Sequence, residues 1–130
     1  MPGYSFEDLD LYKTAREFRK KVFALIRKLP TEEKYNLVSQ MRRAATSLTN
    51  NIAEGHGRFH FQENIQFLRQ ARGSLEELLD DLNICIDERY FAEAEINLLK
   101  SEGYDLLHRL NSYVVYLRAR KSNTINDVTN

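Results

Sequence analysis

The chain has 130 residues, enough for one domain with a hydrophobic core of its own. Its 19 Lys and Arg balance 19 Asp and Glu, which excludes the overall positive charge typical of proteins that bind polyanions non-specifically. One cysteine excludes an intrachain disulfide, and no apolar run of about 18 residues and no charged-then-apolar leader is present, so we expect a cytoplasmic protein that is neither membrane-spanning nor secreted by a standard signal.

The first predicted helix covers about residues 9–29. Its apolar side chains recur at steps of three and four residues, which places them on one face of a helix. They are Leu11, Ala15, Phe18, Val22, Leu25 and Leu29. At about 100° per residue, a stripe of basic side chains lies on the opposite side and is a candidate polyanion-binding surface, with a merely solubilising face as the alternative. This stripe consists of Lys13, Arg16, Lys20 and Arg27.

The second predicted helix covers residues 31–54. Pro30 ends the first helix, because it has no N–H and disfavours helical backbone in the residue before it. Thr31 is expected to cap the second helix, and Gly55 and Gly57 are expected to end it, one of them in the left-handed conformation. Its apolar face comprises Val38, Met41, Ala45, Leu48 and Ile52.

Two further helices are predicted over residues 61–89 and 93–118. Their apolar faces comprise Leu68, Ala71, Leu75, Leu78, Leu82 and Cys85, and then Ile96, Leu99, Leu106, Leu110, Val114 and Leu117. The outer face of the third helix is predicted to be acidic, with Glu76, Glu77, Asp80, Asp81, Asp87 and Glu88. Together the four helices predict an all-α domain over residues 1–121, an antiparallel up-down-up-down four-helix bundle, followed by a disordered tail at 122–130.

The charge balance of the whole chain conceals a difference between its halves. Residues 1–58 contain 11 basic and 7 acidic side chains, a net charge of +4, whereas residues 59–130 contain 8 and 12, a net charge of −4. Each half can therefore attract the other half, another subunit or an oppositely charged partner. Ordinary solvated helix faces are the simpler interpretation.

A second surface is predicted beside the apolar face of the second helix, where small and polar residues occupy positions that usually carry Lys or Glu. Gly73 lies opposite the apolar face of the third helix, and an interior glycine costs about 1 kcal/mol relative to alanine. A closely packed subunit can compensate this cost. The alternative is that a stable bundle tolerates the glycine, and that the arginines near this surface, Arg43, Arg69 and Arg72, form pairs within the chain. The predicted interface comprises Gln40, Arg43, Ala44, Ser47, Asn50, Asn51, Glu54, Gly73 and Glu76.

No residue pattern predicts catalysis or metal binding. His56 and His60 are four residues apart, but they span a glycine turn and no third ligand is evident. Cys85 lies on an apolar face, where a buried and inert thiol is expected. We therefore expect no enzyme activity, cofactor, metal or small-molecule substrate.

Several short stretches, densest in the second predicted helix, match the sequence pattern of a known family. The match extends over roughly residues 4–118. The stretches are Phe6-Glu7-Asp8-Leu9 with Ala15 and Phe18; Leu29-Pro30 with Glu33 and Tyr35; Gln40 with Arg42-Arg43-Ala44-Ala45 and Ser47; Asn51-Ile52-Ala53-Glu54-Gly55 with Gly57-Arg58; Glu63 with Phe67-Leu68; and Ala71-Arg72-Gly73-Ser74-Leu75-Glu76-Glu77-Leu78.

In these stretches the chain resembles the small four-helix-bundle proteins encoded in intervening sequences of bacterial 23S rRNA genes, sometimes labelled S23 ribosomal proteins. It departs from them at His60 and Phe61, where a capping Ser or Thr is expected. The resemblance implies a ring-like homopentamer, and no enzymatic activity is implied by it. It also implies kinship with the accessory variability determinant of diversity-generating retroelements, a pentameric bundle that partners a reverse transcriptase and binds nucleic acid.

The sequence therefore predicts a non-enzymatic homo-oligomeric scaffold that binds RNA or a nucleic-acid-processing partner. The alternative is a protein–protein interaction module with no nucleic-acid contact. A hydrolase or nuclease is disfavoured, because no cluster of carboxylates or histidines faces inward. The predicted nucleic-acid-binding residues are Lys13, Arg16, Lys20, Arg27, Arg42, Arg43, Arg58, Arg69 and Arg72.

Overall fold

Four helices form an antiparallel bundle in the computed structural model, which describes the backbone of residues 5–129 and the side chains of residues 5–120. No strand occurs in this described part, so the predicted fold class is confirmed. Short 3-10 turns at Phe6–Asp8 and Thr31–Glu33 precede the first two helices. The helices are α1 (Asp10–Ile26), α2 (Leu37–His56), α3 (Phe61–Asp87) and α4 (Glu93–Thr129).

Each helix packs against its neighbour in the chain, and α1 also packs against α4. The pairs α1–α3 and α2–α4 therefore lie on the diagonals of the bundle, as expected for up-down-up-down connectivity. The apolar faces predicted from the 3.6-residue period meet in the centre. Val38 is the exception, because it is only partly buried and Leu37 fills the corresponding core position.

The predicted start of the second helix is wrong. One 3-10 turn and an irregular link precede α2, so Thr31 does not cap it. Instead, the Glu33 carboxylate accepts hydrogen bonds from the Leu37 N–H at 3.4 Å and from the Asn36 side chain at 3.2 Å. A carboxylate at this place satisfies free N–H groups at the positive end of α2, which stabilises the later start.

Of the two glycines predicted to end α2, Gly57 lies directly after its last residue, whereas Gly55 lies within the helix. Neither adopts the left-handed conformation, and Gly57 has φ −76°. Gly55 is buried where α2 meets α3, and an added Cβ would lie 2.7 Å from Asn64 Oδ1 and 2.9 Å from Phe67 Cβ. Gly55 is therefore required for the close approach of two helices. The left-handed residue is Arg89, at φ 58°, just after α3.

The backbone of α4 is helical to Thr129, beyond the end near Arg118 that the apolar pattern predicts. The side chains after Arg120 lie outside the described residues. The expected disorder of the tail at 122–130 thus stays a prediction.

Candidate interaction surfaces

Two side-chain contacts fix how α1 and α2 face each other. The Arg19 guanidinium donates a hydrogen bond from Nη1 to Thr49 Oγ1 at 2.8 Å, and Thr49 is buried. The Arg42 guanidinium lies 4.8 Å from the centre of the Phe23 ring. Sequence analysis missed the first contact, because neither residue belongs to an apolar or a basic stripe. The side of α1 that carries Arg19 and Phe23 is therefore the side next to α2.

The basic stripe of α1 continues onto α2 across this contact. Six exposed residues make up this surface, which we call the basic face: Lys13, Arg16, Lys20, Arg27, Arg42 and Arg43. Residues 37–53 of α2 include no Asp or Glu. Among the described side chains, Lys20 is the member of the basic face that pairs with a carboxylate, Glu17, at 3.4 Å. Glu17 therefore offsets one of the six positive charges of the basic face.

A shallow groove of about 510 Å³ crosses the outside of α2 within and beside the basic face. Guanidinium, hydroxyl and amide groups line it, and no carboxylate does. Such groups donate hydrogen bonds readily to phosphate oxygens. The lining residues are Ser39, Arg42, Arg43, Thr46, Ser47, Asn50 and Asn51.

Three of the predicted nucleic-acid-binding arginines are not part of the basic face. Arg58, which follows α2, pairs with Glu54 of α2 at 2.7 Å. Arg58 was predicted to bind nucleic acid, and Glu54 was predicted to lie in the subunit interface. Arg72 donates to Asn111 Oδ1 of α4 at 3.2 Å. Arg69 is exposed on α3. The structure thus divides the predicted set between two sides of the bundle, which a helical wheel of one helix cannot show.

The small polar flank of α2 packs in part against α3 of the same chain. The Ser74 hydroxyl donates to Ser47 Oγ at 2.9 Å, and Asn51 Nδ2 donates to the Ser47 carbonyl at 2.9 Å. Ala44, expected on an outward flank, is 2% exposed and belongs to the core. Its predicted place in a subunit interface is therefore wrong, because α3 covers it.

The rest of the predicted subunit surface is open in the single chain. Arg43, Asn50, Gly73 and Glu76 are exposed, and Gln40 is half-buried. A Cβ added at Gly73 meets no atom within 4 Å. Nothing in the described part of the chain therefore requires a glycine at this position of α3.

Asp81 is the main exception to the predicted acidic outer face. Its side chain is 4% exposed, and its Oδ2 has no hydrogen-bond partner among the described atoms. Burial raises the pKa of Asp81 to about 6; Glu77 and Asp80 add to this rise, and Arg43 opposes it. Seven residues separate Asp81 from Ser74, so both lie on the flank of α3 that faces α2. Sequence analysis did not predict the burial of Asp81, because this residue belongs to a run of acidic residues that was assigned as a whole to the outer face.

Neither Cys85 nor Tyr90 is activated as a nucleophile. Burial raises the pKa of the Cys85 thiol to about 11, with Asp81 contributing, so the thiol stays protonated near neutral pH. Tyr90 donates its hydroxyl to the Glu33 carboxylate, which raises the pKa of Tyr90 to about 12 and lowers that of Glu33. This hydrogen bond joins the α1–α2 and α3–α4 connections at one end of the bundle.

Two kinds of feature are absent from the described part of the chain. No group of three or more His, Cys, Asp or Glu side chains there has the arrangement of a metal site. No helix in that part combines the length and the apolar character that crossing a membrane requires.

Known proteins share the fold of this chain, and a family model matches its sequence. A crystal structure of a protein with unknown function from the S23 ribosomal protein family of Bacteroides thetaiotaomicron superposes with a TM-score of 0.75 and 21% sequence identity. The match covers 80% of this chain and 97% of that one, so the two share a fold. No curated protein matches the sequence. The family model described as 23S rRNA-intervening sequence protein matches residues 7–112. The chain therefore belongs to the 23S rRNA-intervening sequence protein family.

Proposed function

We propose that this chain is a non-enzymatic, homo-oligomeric scaffold that binds RNA, or nucleic acid held by a processing partner, through its basic face. The observation that carries the proposal is the charge distribution. Arginines and lysines of α1 and α2 form one surface beside a stretch of α2 without carboxylates, although the whole chain has no net charge. Such a local surface attracts phosphates without making the protein generally polycationic.

An assembly of identical subunits would strengthen this binding. Six basic residues per chain are few for tight binding, and each phosphate contact weakens as salt increases. When several copies of the face bind one strand, later contacts form at a high effective concentration, so the overall affinity exceeds that of a single face. The proposed ring and the proposed ligand therefore support each other.

Charge reversal of Arg16 and Arg42 tests the ligand. Both residues belong to the basic face and not to the predicted subunit surface. We expect the double variant Arg16→Glu, Arg42→Glu to bind a labelled RNA at least about tenfold more weakly at low salt, because phosphate contacts are lost and repulsion is added. Fluorescence anisotropy across a salt series measures the affinity.

The matched control is Arg109→Glu, Arg118→Glu, which changes the net charge equally at exposed positions of α4. We expect it to bind RNA nearly as the unaltered chain does. Absence of RNA binding at low salt removes the nucleic-acid proposal and favours a protein-interaction module. An equal loss in both double variants shows that only net charge matters and removes the basic face as the site.

Gly73 tests the assembly. We propose that a sister copy packs against α3 at this exposed glycine. Leucine at this position has room within the chain and favours helix over glycine by about 0.8 kcal/mol, so the protomer is expected to fold. We expect Gly73→Leu to lower the particle mass measured by light scattering while far-UV circular dichroism stays unchanged.

The control for this experiment is Asn97→Leu, at an exposed position of α4. It introduces the same side chain away from the predicted surface and should leave the particle mass unaltered. If Gly73→Leu also keeps the native mass, a sister copy does not pack at this position.

A further inference from the structure

Two aromatic side chains flank α2 and are almost fully exposed. Tyr35, before α2, is 88% exposed, and Phe59, after it, is 90% exposed. A buried aromatic ring removes 150–250 Å² of surface from water, so rings in these positions forgo a large hydrophobic gain. The folded chain does not use these two rings in its core, so they are available for a contact with another molecule.

Both rings lie next to positively charged or ionisable groups. The Lys34 ammonium is 5.3 Å from the centre of the Tyr35 ring. The Phe59 ring lies edge-on to the His60 ring with the centres 5.0 Å apart. The neighbouring Arg58 guanidinium lies over the Phe67 ring instead and pairs with Glu54. An exposed ring beside a cation can accept a nucleobase on its face while the cation contacts the adjoining phosphate.

The two rings are separated by the length of α2. The 20 residues of α2 span about 30 Å at 1.5 Å per residue. Between the rings lies Arg42, with the hydroxyl groups of Ser39 and Thr46, and none of these three residues belongs to the predicted subunit interface. A strand that follows α2 from the Tyr35 end meets phosphate-binding groups and no carboxylate on residues 37–53, and Glu54, in the last turn before Phe59, is paired with Arg58.

We infer that the basic face binds single-stranded nucleic acid, with unpaired bases stacked on Tyr35 and Phe59 at the two ends of α2. This inference rests on the proposed function and specifies its ligand. Bases in a duplex are already stacked on each other and cannot offer their faces to these rings, whereas unpaired bases can. Single-strand-binding domains combine a basic groove with aromatic platforms in this way, over about 4–16 nucleotides.

Alanine substitution of both rings tests the inference. The probes are a labelled single-stranded oligoadenylate of about 12 nucleotides and an RNA duplex of equal length. We expect Tyr35→Ala, Phe59→Ala to weaken binding of the single strand by about tenfold or more, since each stacked base contributes roughly 1–3 kcal/mol. The slope of affinity against salt should stay unchanged, because no phosphate contact is removed.

The control is Tyr104→Ala, which removes an exposed tyrosine from α4 and should not alter the affinity. Circular dichroism verifies that each variant folds. The unaltered chain should bind the single strand more tightly than the duplex. Arg16→Glu, Arg42→Glu should reduce the salt slope by roughly 0.7 for each lost phosphate contact on a single strand, in contrast to the alanine variant.

Other outcomes overturn the inference in distinguishable ways. Equal binding of duplex and single strand, with no effect of the alanine variant but a loss in the charge-reversed variant, refutes stacking and leaves the proposed function intact. No binding of either probe by the unaltered chain refutes both. A lower particle mass in the alanine variant with unaltered RNA affinity identifies the rings as subunit contacts and refutes stacking.

Discussion

Replacing Gly55 with alanine is expected to lower the free energy of unfolding by roughly 2 kcal/mol or more. The new Cβ would lie 2.7 Å from Asn64 Oδ1, closer than normal packing allows, and 3.1 Å from the Asn64 carbonyl oxygen, a tighter contact than most Cβ atoms make. The second of these atoms belongs to the α3 backbone and cannot move without shifting the helix. Chemical denaturation followed by circular dichroism measures the change.

Two other glycines provide matched controls. Gly73→Ala places a methyl group in open space on α3 and should stabilise the isolated protomer by about 0.5–1 kcal/mol, through helix propensity. Gly57→Ala makes only an ordinary contact of 3.5 Å with the Glu54 carbonyl oxygen and should be nearly neutral. If Gly55→Ala is as stable as the unaltered chain, the close approach of α2 and α3 is not as the structure shows it.

Asp81→Asn is expected to stabilise the protein at pH 8 by on the order of 3 kcal/mol more than at pH 4. The pKa of Asp81 rises from its ordinary value of 3.8 to about 6 on folding, chiefly through burial. The folded chain therefore binds this proton more tightly than the unfolded chain. Stability falls as pH rises through this window, and the full cost of a buried charge is present above pH 6. Asparagine carries no charge, so it removes that cost.

The measured quantity is the difference in unfolding free energy between variant and unaltered chain at several pH values. This difference separates the charge from any hydrogen bond gained or lost by the amide, because the amide effect does not depend on pH. Asp87→Asn is the control, since Asp87 is an exposed aspartate of α3 that does not contribute to the raised pKa of Asp81. A pH-independent effect of Asp81→Asn contradicts a raised pKa at this carboxyl.

The basic face and the Gly73 surface can be tested independently because they lie on different parts of the bundle. Arg16 and Arg42 belong to the α1–α2 side, whereas Gly73 is exposed on α3. The charge-reversed variant can therefore lose RNA binding while its particle mass stays unaltered. Gly73→Leu can lower the particle mass while the fold stays unaltered. Arg43 belongs to both predicted sets and is unsuited to either experiment alone.

The sequence by itself determined the four helices and the core. Apolar residues at steps of three and four report the average direction of burial along each helix, which is why nearly every predicted core position is buried. The basic residues on α1 and α2 were also predicted, because they lie opposite those apolar positions. Local spacing was sufficient for these features.

Only the tertiary structure decided which residues on the flanks of each helix are buried. Ala44 and Asp81 are buried because α2 and α3 are neighbours, and Gly55 is needed because those helices approach closely. The start of α2 depends on Glu33, which is also bonded to Tyr90 from the distant α3–α4 connection. A flank lies about 90° from the apolar direction, so its burial depends on which helix is adjacent, and the period of one helix does not contain that information.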